Sequence, residues 1–304
     1  MERTIIRNKS KYKGGMVEKP TIGGHIANFI MLISVLFLAF IAIVPMWHVL
    51  MSSLSNAFEL LSHKGLVLKP VGSLNLEGYR LIFRDNSVIT GYMNTIIYVV
   101  STVSLGFVMN VVGGYAISRD TKLKGAMTIF LLITLMFGGG MIPTYMVMNT
   151  FGLVGSRLSI IILEATMGMY IIIGANAFRT VPQETVDAAR IDGAGHIRTM
   201  FQIMFPQCTP LFVVTILNTF VTSWNSWLTA SIYVPAYKDK WPIQLMINDL
   251  VNRNANFLET VNPNYDRYLI QFAVIVAATL PIMIAIPFFQ KQIEQGVIGG
   301  AVKG

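Results

Sequence analysis

Residues 187–206 read DAARIDGAGHIRTMFQIMFP. Two acids, two arginines, a histidine and two glycines sit together here, and long hydrophobic runs lie on both sides. A polar, small-residue stretch in such surroundings belongs to a connector outside a membrane. What it connects is decided by the rest of the chain.

Of the 304 residues, 54% are hydrophobic and only 12% charged, against roughly 25% charged in an ordinary soluble domain. The charges are segregated into short connectors between long apolar runs. A membrane-crossing helix needs ~20 apolar residues. Six runs reach about that length, at about 26–51, 91–117, 126–148, 158–178, 208–232 and 268–290. The expected fold class is therefore an all-α polytopic membrane protein with six transmembrane helices, forming a single domain over 1–304. The first run is too long for a secretory signal and has no small-residue cleavage site after it, so it is expected to be retained.

Basic residues set the orientation. The first 25 residues carry six Lys/Arg, the 118–125 loop three, the 179–207 loop three and the tail two, 14 in all. The segments 52–90, 149–157 and 233–267 carry nine. Cytoplasmic loops are enriched in Lys and Arg, so both termini are expected inside. This membrane reading also accounts for the net charge of +8, with no nucleic acid required. The outer segments 52–90 and 233–267 mix apolar, aromatic and turn residues (Trp241, Pro242, Pro263, Tyr265), a composition for packed caps.

This orientation puts the opening stretch in the cytoplasm, between the fourth and fifth spans. Pro182 suits a helix's first turn, and Glu184 and Asp187 suit its positive end. A short helix is expected to about Ile191, then a break over Asp192–Gly195, then a second helix from His196. On that helix Ile197, Met200, Phe201 and Met204 fall at i, i+3, i+4 and i+7, one apolar face. Ala188, Ala189 and Gly193 offer a surface almost bare of side chain, with Asp187, Arg190 and Arg198 at its rim. Such an element suits close docking of another protein.

The same residues carry a resemblance. The stretch is similar to the EAA loop of binding-protein-dependent ABC importers, whose pattern is E-A-A, three residues, G, nine residues, I-x-L-P. Here Asp187-Ala188-Ala189, Gly193, Ile203 and Pro206 fill it, with Asp187 in place of Glu and Phe205 in place of Leu. "IDGAG" at 191–195 and "GAVKG" at 300–304 resemble the carbohydrate-importer branch.

The resemblance implies a type I ABC-importer transmembrane fold and a permease subunit in a bacterial cytoplasmic membrane. Implied partners are a second permease, forming a heterodimer, two ATPase subunits and an extracytoplasmic solute-binding protein. ATP and Mg would be bound by the ATPase, and no cofactor by this chain. The 180–206 loop would couple to the ATPase through Glu184, Asp187, Ala188, Ala189, Arg190, Asp192, Gly193, Ala194 and His196.

Other classes find less support. No G-x-x-x-x-G-K-[ST] phosphate loop is present, so the chain does not bind ATP by that route. "GGG" at 138–140 lies in an apolar run, where it permits close packing or bending. Cys208 is the single cysteine, which excludes an internal disulfide. His25, His48, His63 and His196 are scattered, without metal-ligand spacing. An intramembrane hydrolase would need a nucleophile and base at depth, and only His48 stands near a span, beside Trp47. Cys208 reads as a small interface residue, and Trp227 and Tyr233 as an aromatic belt.

Two features bear on substrate. Glu164 lies inside the fourth span, ~9 Å from its outer end at 1.5 Å per residue. It supports the alternative function, a proton-coupled secondary transporter, and otherwise reads as a carboxylate paired within the bundle or reaching the interface. On the fifth span Asn218, Thr222, Asn225 and Thr229 fall at i, i+4, i+7 and i+11. This stripe must face protein or water, so it either bonds neighbouring helices or lines a sugar path, with Trp224 nearby as an apolar ring.

Overall fold

The computed structural model describes residues 22–84, 86–252 and 263–301. All regular elements among them are helical. The six basic residues before the first span, the 253–262 segment and Lys303 of the tail lie outside the described residues.

Helix α1, Ile22–Ser53, packs along α14 at one edge of the bundle and leaves most of its apolar surface exposed. Phe29, Leu38 and Phe40 are each more than 60% exposed, at 62%, 65% and 66%. Its C-terminal end is anchored: Trp47 Nε1 donates to the Leu68 carbonyl (2.9 Å), and the Val67 amide donates to His48 Nδ1 (2.9 Å). His48 and Trp47 thus fasten the helix to a cap formed by the chain that follows it. That cap carries α2, Ala57–Ser62, and α3, Glu77–Arg84.

The second span is α4, Asn86–Ser118. The third expected span, 126–148, is not one rod. It is α5, Lys124–Met136, and α6, Met141–Thr150, which meet at 116°. Gly138–Gly140 is the cause. Gly140 sits at φ +81°, outside any right-handed helix, and a Cβ on Gly138 or Gly140 would meet nothing within 4 Å. The glycines serve the bend, not a close helix contact.

The fourth span bends less, by 42°, between α7, Arg157–Ala165, and α8, Gly168–Arg179. Next come α9, Gln183–Ile191, and α10, His196–Arg198. A π-helical turn over Thr199–Met204 then runs into α11, Phe205–Asn225. Where a single fifth span to 232 was expected, Ser226 turns extended (φ −72°, ψ 113°) and a separate α12, Leu228–Tyr233, follows. The cap continues with α13, Ile243–Asn252, and the last long helix is α14, Pro263–Ala301, with Pro281 and Pro287 inside. Among the described residues, four stretches are long and apolar enough to cross a membrane alone: Gly23–Ser53, Asn86–Ser118, His196–Asn225 and Ile270–Gln290. The number rises to six if each bent pair counts once.

The described part of the 233–267 segment is packed. Trp241 is buried and donates through Nε1 to the Val234 carbonyl (2.9 Å). Buried Asn94 of α4 donates to the carbonyls of Asp239 (2.7 Å) and Trp241 (3.1 Å) and accepts from Arg157 Nη2 (2.8 Å). Tyr233 corrects the belt reading. It is only 3% exposed and lies against Tyr145, while Trp227 remains 40% exposed. The Tyr265 side chain lies outside the described residues.

Helices α4 and α8 cross at a pair of glycines. A Cβ built on Gly114 would lie 2.7 Å from the backbone carbon of Gly174. A backbone neighbour cannot swing aside as a side chain can. Gly114→Ala is expected to force the helices apart at a cost of about 1–3 kcal/mol, read as a lower unfolding temperature of the detergent-solubilised protein. Gly125→Ala, where a Cβ meets nothing within 4 Å, should leave that temperature unchanged.

Candidate functional site: the α8–α11 elbow and the α11 face

The elbow between α8 and α11 is built on a local rule for ending helices. At the end of α9 the Gly193 amide donates to the Arg190 carbonyl (3.0 Å) and the Ala194 amide to the Ala189 carbonyl (2.9 Å). These paired bonds close a helix whose next residue adopts a left-handed conformation. Gly193 is that residue, at φ +78°. It therefore has a backbone reason to be glycine, and it is also exposed, with nothing within 4 Å of an added Cβ.

The expected bare surface is divided by the packing. Ala188, Asp192 and Gly193 are exposed and Ala194 is half-buried, but Ala189 is 6% exposed and faces the bundle. Asp187 is engaged within its own helix. It accepts from Gln183 Nε2 (3.0 Å) and lies 3.5 Å from Arg190 Nη1. Glu184 and Arg190 are exposed. Arg198 donates through Nε to Gln202 Oε1 (3.2 Å).

The apolar face read from 197, 200, 201 and 204 does not stay together. Met200 (7% exposed) and Met204 (0%) are buried, while Ile197 (75%) and Phe201 (47%) point outward. The π-turn is the reason: i→i+5 bonding advances less per residue than an α-turn, so the 3.6-residue stripe is split. Met200 and Met204 join Val186 of α9, Phe178 of α8, and Cys208 and Phe212 of α11 in one cluster. The Phe178 and Phe212 rings lie 5.0 Å apart. Cys208 is 2% exposed and its thiol donates to the Met204 carbonyl (3.2 Å), an interface role.

Sequence reasoning missed further elbow residues. Tyr115 Oη is 3.1 Å from His196 Nδ1, which ties the start of the second elbow helix to α4. Eighty-one positions separate the two residues, and nothing in the local pattern of either announces the contact. Ile191 is 86% exposed beside Gly193. Gly195, His196, Ile197, Arg198, Phe201 and Gln202 line a shallow cleft of about 630 Å³.

On α11, Asn218, Thr222 and Asn225 form an exposed row. Asn218 and Asn225 donate their amides to the carbonyls of Val214 (3.0 Å) and Val221 (2.9 Å) of the same helix. Thr229 leaves the row because the helix has already broken at Ser226; it is half-buried on α12. Trp224 is also off the row. It is 5% exposed, and its Nε1 donates to the Ala278 carbonyl of α14 (3.0 Å). Packing uses a different polar set, Thr215, Thr219 and Ser223, all buried. Thr215 Oγ1 accepts from Asn110 Nδ2 of α4 (2.7 Å). Glu164 is 8% exposed and accepts a hydrogen bond from Ser226 Oγ. Among the described residues no His/Cys/Asp/Glu group could hold a metal ion.

Residues 24–299 match the model of a family described as the binding-protein-dependent transport system inner membrane component. The chain is similar to the polygalacturonan/rhamnogalacturonan transport system permease protein of Bacillus subtilis, 30% identical over 88% of this chain and 95% of that one. It is similar also to the arabinooligosaccharides transport system permease protein of Halalkalibacterium halodurans, 26% identical over 92% and 98%. Among solved structures, a bacterial ABC transporter involved in the import of the acidic polysaccharide alginate has a chain of the same fold. The TM-score is 0.80 and the identity 23%, over 90% of this chain and 99% of that one. The fold is that of a type I ABC-importer permease. With nearly its whole length matched, the chain belongs to the family of binding-protein-dependent transport system inner membrane components, the permeases of ABC importers.

Proposed function

We propose that the chain is one permease subunit of an ATP-driven importer that carries a sugar or oligosaccharide across a bacterial cytoplasmic membrane. It crosses six times, each bent pair counting as one span, with both termini in the cytoplasm. It pairs with a second, different permease. Two ATPase subunits, which bind ATP and Mg, dock on the elbow, and an extracytoplasmic solute-binding protein delivers the sugar. The relatives' names supply the substrate class.

One observation carries this reading. The elbow presents Ala188, Ile191, Gly193 and Ile197 outward, and its inner side is packed on Phe178 and Phe212. From His196 it continues as one helix to Asn225. A push on the elbow therefore reaches the exposed row Asn218, Thr222 and Asn225 through a continuous helix, biasing an inward/outward equilibrium. Amides and hydroxyls on that row suit sugar hydroxyls.

Orientation is tested by single cysteines in a Cys208→Ser background. Ser73→Cys should react with an impermeant thiol reagent in intact cells, and Gln183→Cys should not; outside labelling at 183 reverses the topology. Coupling is tested by Gly193→Asp. Aspartate tolerates the left-handed conformation better than most residues, so the change acts mainly through bulk and charge on the docking surface. Coupling between sites is typically worth 1–3 kcal/mol, so oligosaccharide uptake should fall about tenfold or more with the protein still inserted. Asp187→Ala should be milder, since exposed ion pairs contribute under about 1 kcal/mol. Normal uptake by Gly193→Asp would remove the elbow from coupling. For the path, Asn218→Ala and Asn225→Ala should each raise the half-saturating sugar concentration about two- to tenfold, the scale of one hydrogen bond. Assembly with the ATPase should be unchanged. Loss of assembled complex in both would instead mark the row as a packing face.

A further inference from the structure

Glu164 occupies a junction that the transport reading does not use. It lies at the end of α7, two residues before the bend at Thr166. Ser226 marks the other break, where α11 gives way to α12, and its Oγ donates to Glu164 Oε1. Ser226 Oγ also lies 3.4 Å from Thr229 Oγ1 on α12. The hydroxyls of Ser223 and Thr229 face the same carboxyl. Glu164 is 8% exposed and Ser223 4%. Glu164 Oε2 and Ser223 Oγ are nevertheless left without a hydrogen bond of good geometry.

The chemistry of this junction is hydrogen bonding rather than ion pairing. None of the ion pairs among the described residues involves Glu164. Its neighbours are hydroxyls, which suit a carboxyl or an amide equally well. The junction is also mechanically placed. A Cβ on Gly106 of α4 would lie 3.3 Å from the Ala165 carbonyl and 3.9 Å from Thr219 Cγ2, so α4 is already wedged between α7 and α11 just below. Above that wedge, the Glu164–Ser226 bond joins the two broken helices. Asn225, the last residue of α11 and the outermost of the exposed row, immediately precedes Ser226.

We propose that Glu164 is a positioning residue: by tying the α7–α8 bend to the α11–α12 break through Ser226, it fixes where α11 stops and how Asn225 is presented. The consequence for transport rests on the permease reading above; the tether itself does not. Glu164 acts as a hydrogen-bonding strut, not as a proton carrier, and glutamine is its functional equivalent.

The test uses the assembled complex with its partner subunits. Glu164→Gln should keep the wild-type apparent KM for oligosaccharide. Glu164→Ala and Ser226→Ala should each raise it about tenfold, as expected when one buried hydrogen bond is lost. The maximal rate should stay near wild type, and the double variant should be no worse than either single, because both remove the same bond. Glu164→Gln behaving like Glu164→Ala would overturn the strut and assign the site to a charge or a proton. An unchanged KM in both alanine variants would overturn it as well. A second readout does not depend on sugar: the rate at which Asn225→Cys, in a Cys208→Ser background, reacts with a thiol reagent. Loss of the strut should change that rate in the Glu164→Ala protein and not in Glu164→Gln; equal rates in all three overturn the proposal. Should the wild-type complex take up no oligosaccharide, the permease substrate reading fails while the labelling still judges the strut. If Glu164→Ala does not assemble, Ser226→Ala, which keeps the carboxyl, carries both readouts.

Discussion

The contact on which the elbow depends is the burial of Val186, Met200 and Met204 against the Phe178 and Phe212 rings. These side chains come from α9, the π-turn, α8 and α11, and all are 7% exposed or less. Burying an aliphatic side chain of this size is worth roughly 1.5–3 kcal/mol. The cluster therefore holds a polar, glycine-containing turn, which would otherwise be a mobile loop, against the end of the bundle. Tyr115, through His196, adds a polar tie from α4. On the proposed coupling, energy delivered to an element held this way would move helices, whereas energy delivered to a loose loop would be spent ordering it.

A second constraint operates at the opposite end. The long segments are interrupted at Phe137–Gly140, Thr166–Met167 and Ser226–Trp227. Each interruption frees backbone groups, which in a membrane must find partners within the protein. At Ser226 the local answer is the Ser223 carbonyl, which accepts from the Ser226 amide (3.3 Å). At the cap, Asn94 and Lys240 supply side-chain bonds to loop carbonyls, including Lys240 Nζ to Gly155 (2.6 Å), and Arg157 donates to Asn94 Oδ1. The elbow is held mainly by apolar burial, whereas the cap adds these polar bonds to buried apolar clusters around Ile82, Ile243 and Ile270 and around Val234, Trp241 and Leu245.

The exposed row on α11 and the buried row beside it illustrate how one helix can serve both needs. Asn218, Thr222 and Asn225 lie on one side, and Thr215, Thr219 and Ser223 on another. Both rows are polar, and spacing alone marks either as a helix face. Which of them meets α4 follows from Asn110, whose amide reaches Thr215 across the crossing.

Much of the fold was legible in the sequence, because hydrophobic length is a local property. The apolar runs located the long apolar helices, and Gly193 with Asp187-Ala188-Ala189 located the elbow, since a helix stop, its left-handed glycine and its small flanking residues are written in consecutive positions. The family likeness was carried by the same residues. The tertiary structure decided what depends on geometry between distant positions. The Gly138–Gly140 run became a 116° bend, because a φ that only glycine adopts readily ended one helix. The π-turn split Met200 and Met204 from Ile197 and Phe201, because a change of bonding register rotates every residue after it. Ala189 and Trp224 went inward and Glu164 found Ser226, because burial is set by which helices surround a face, and a one-dimensional pattern of apolar and polar residues does not name the neighbours.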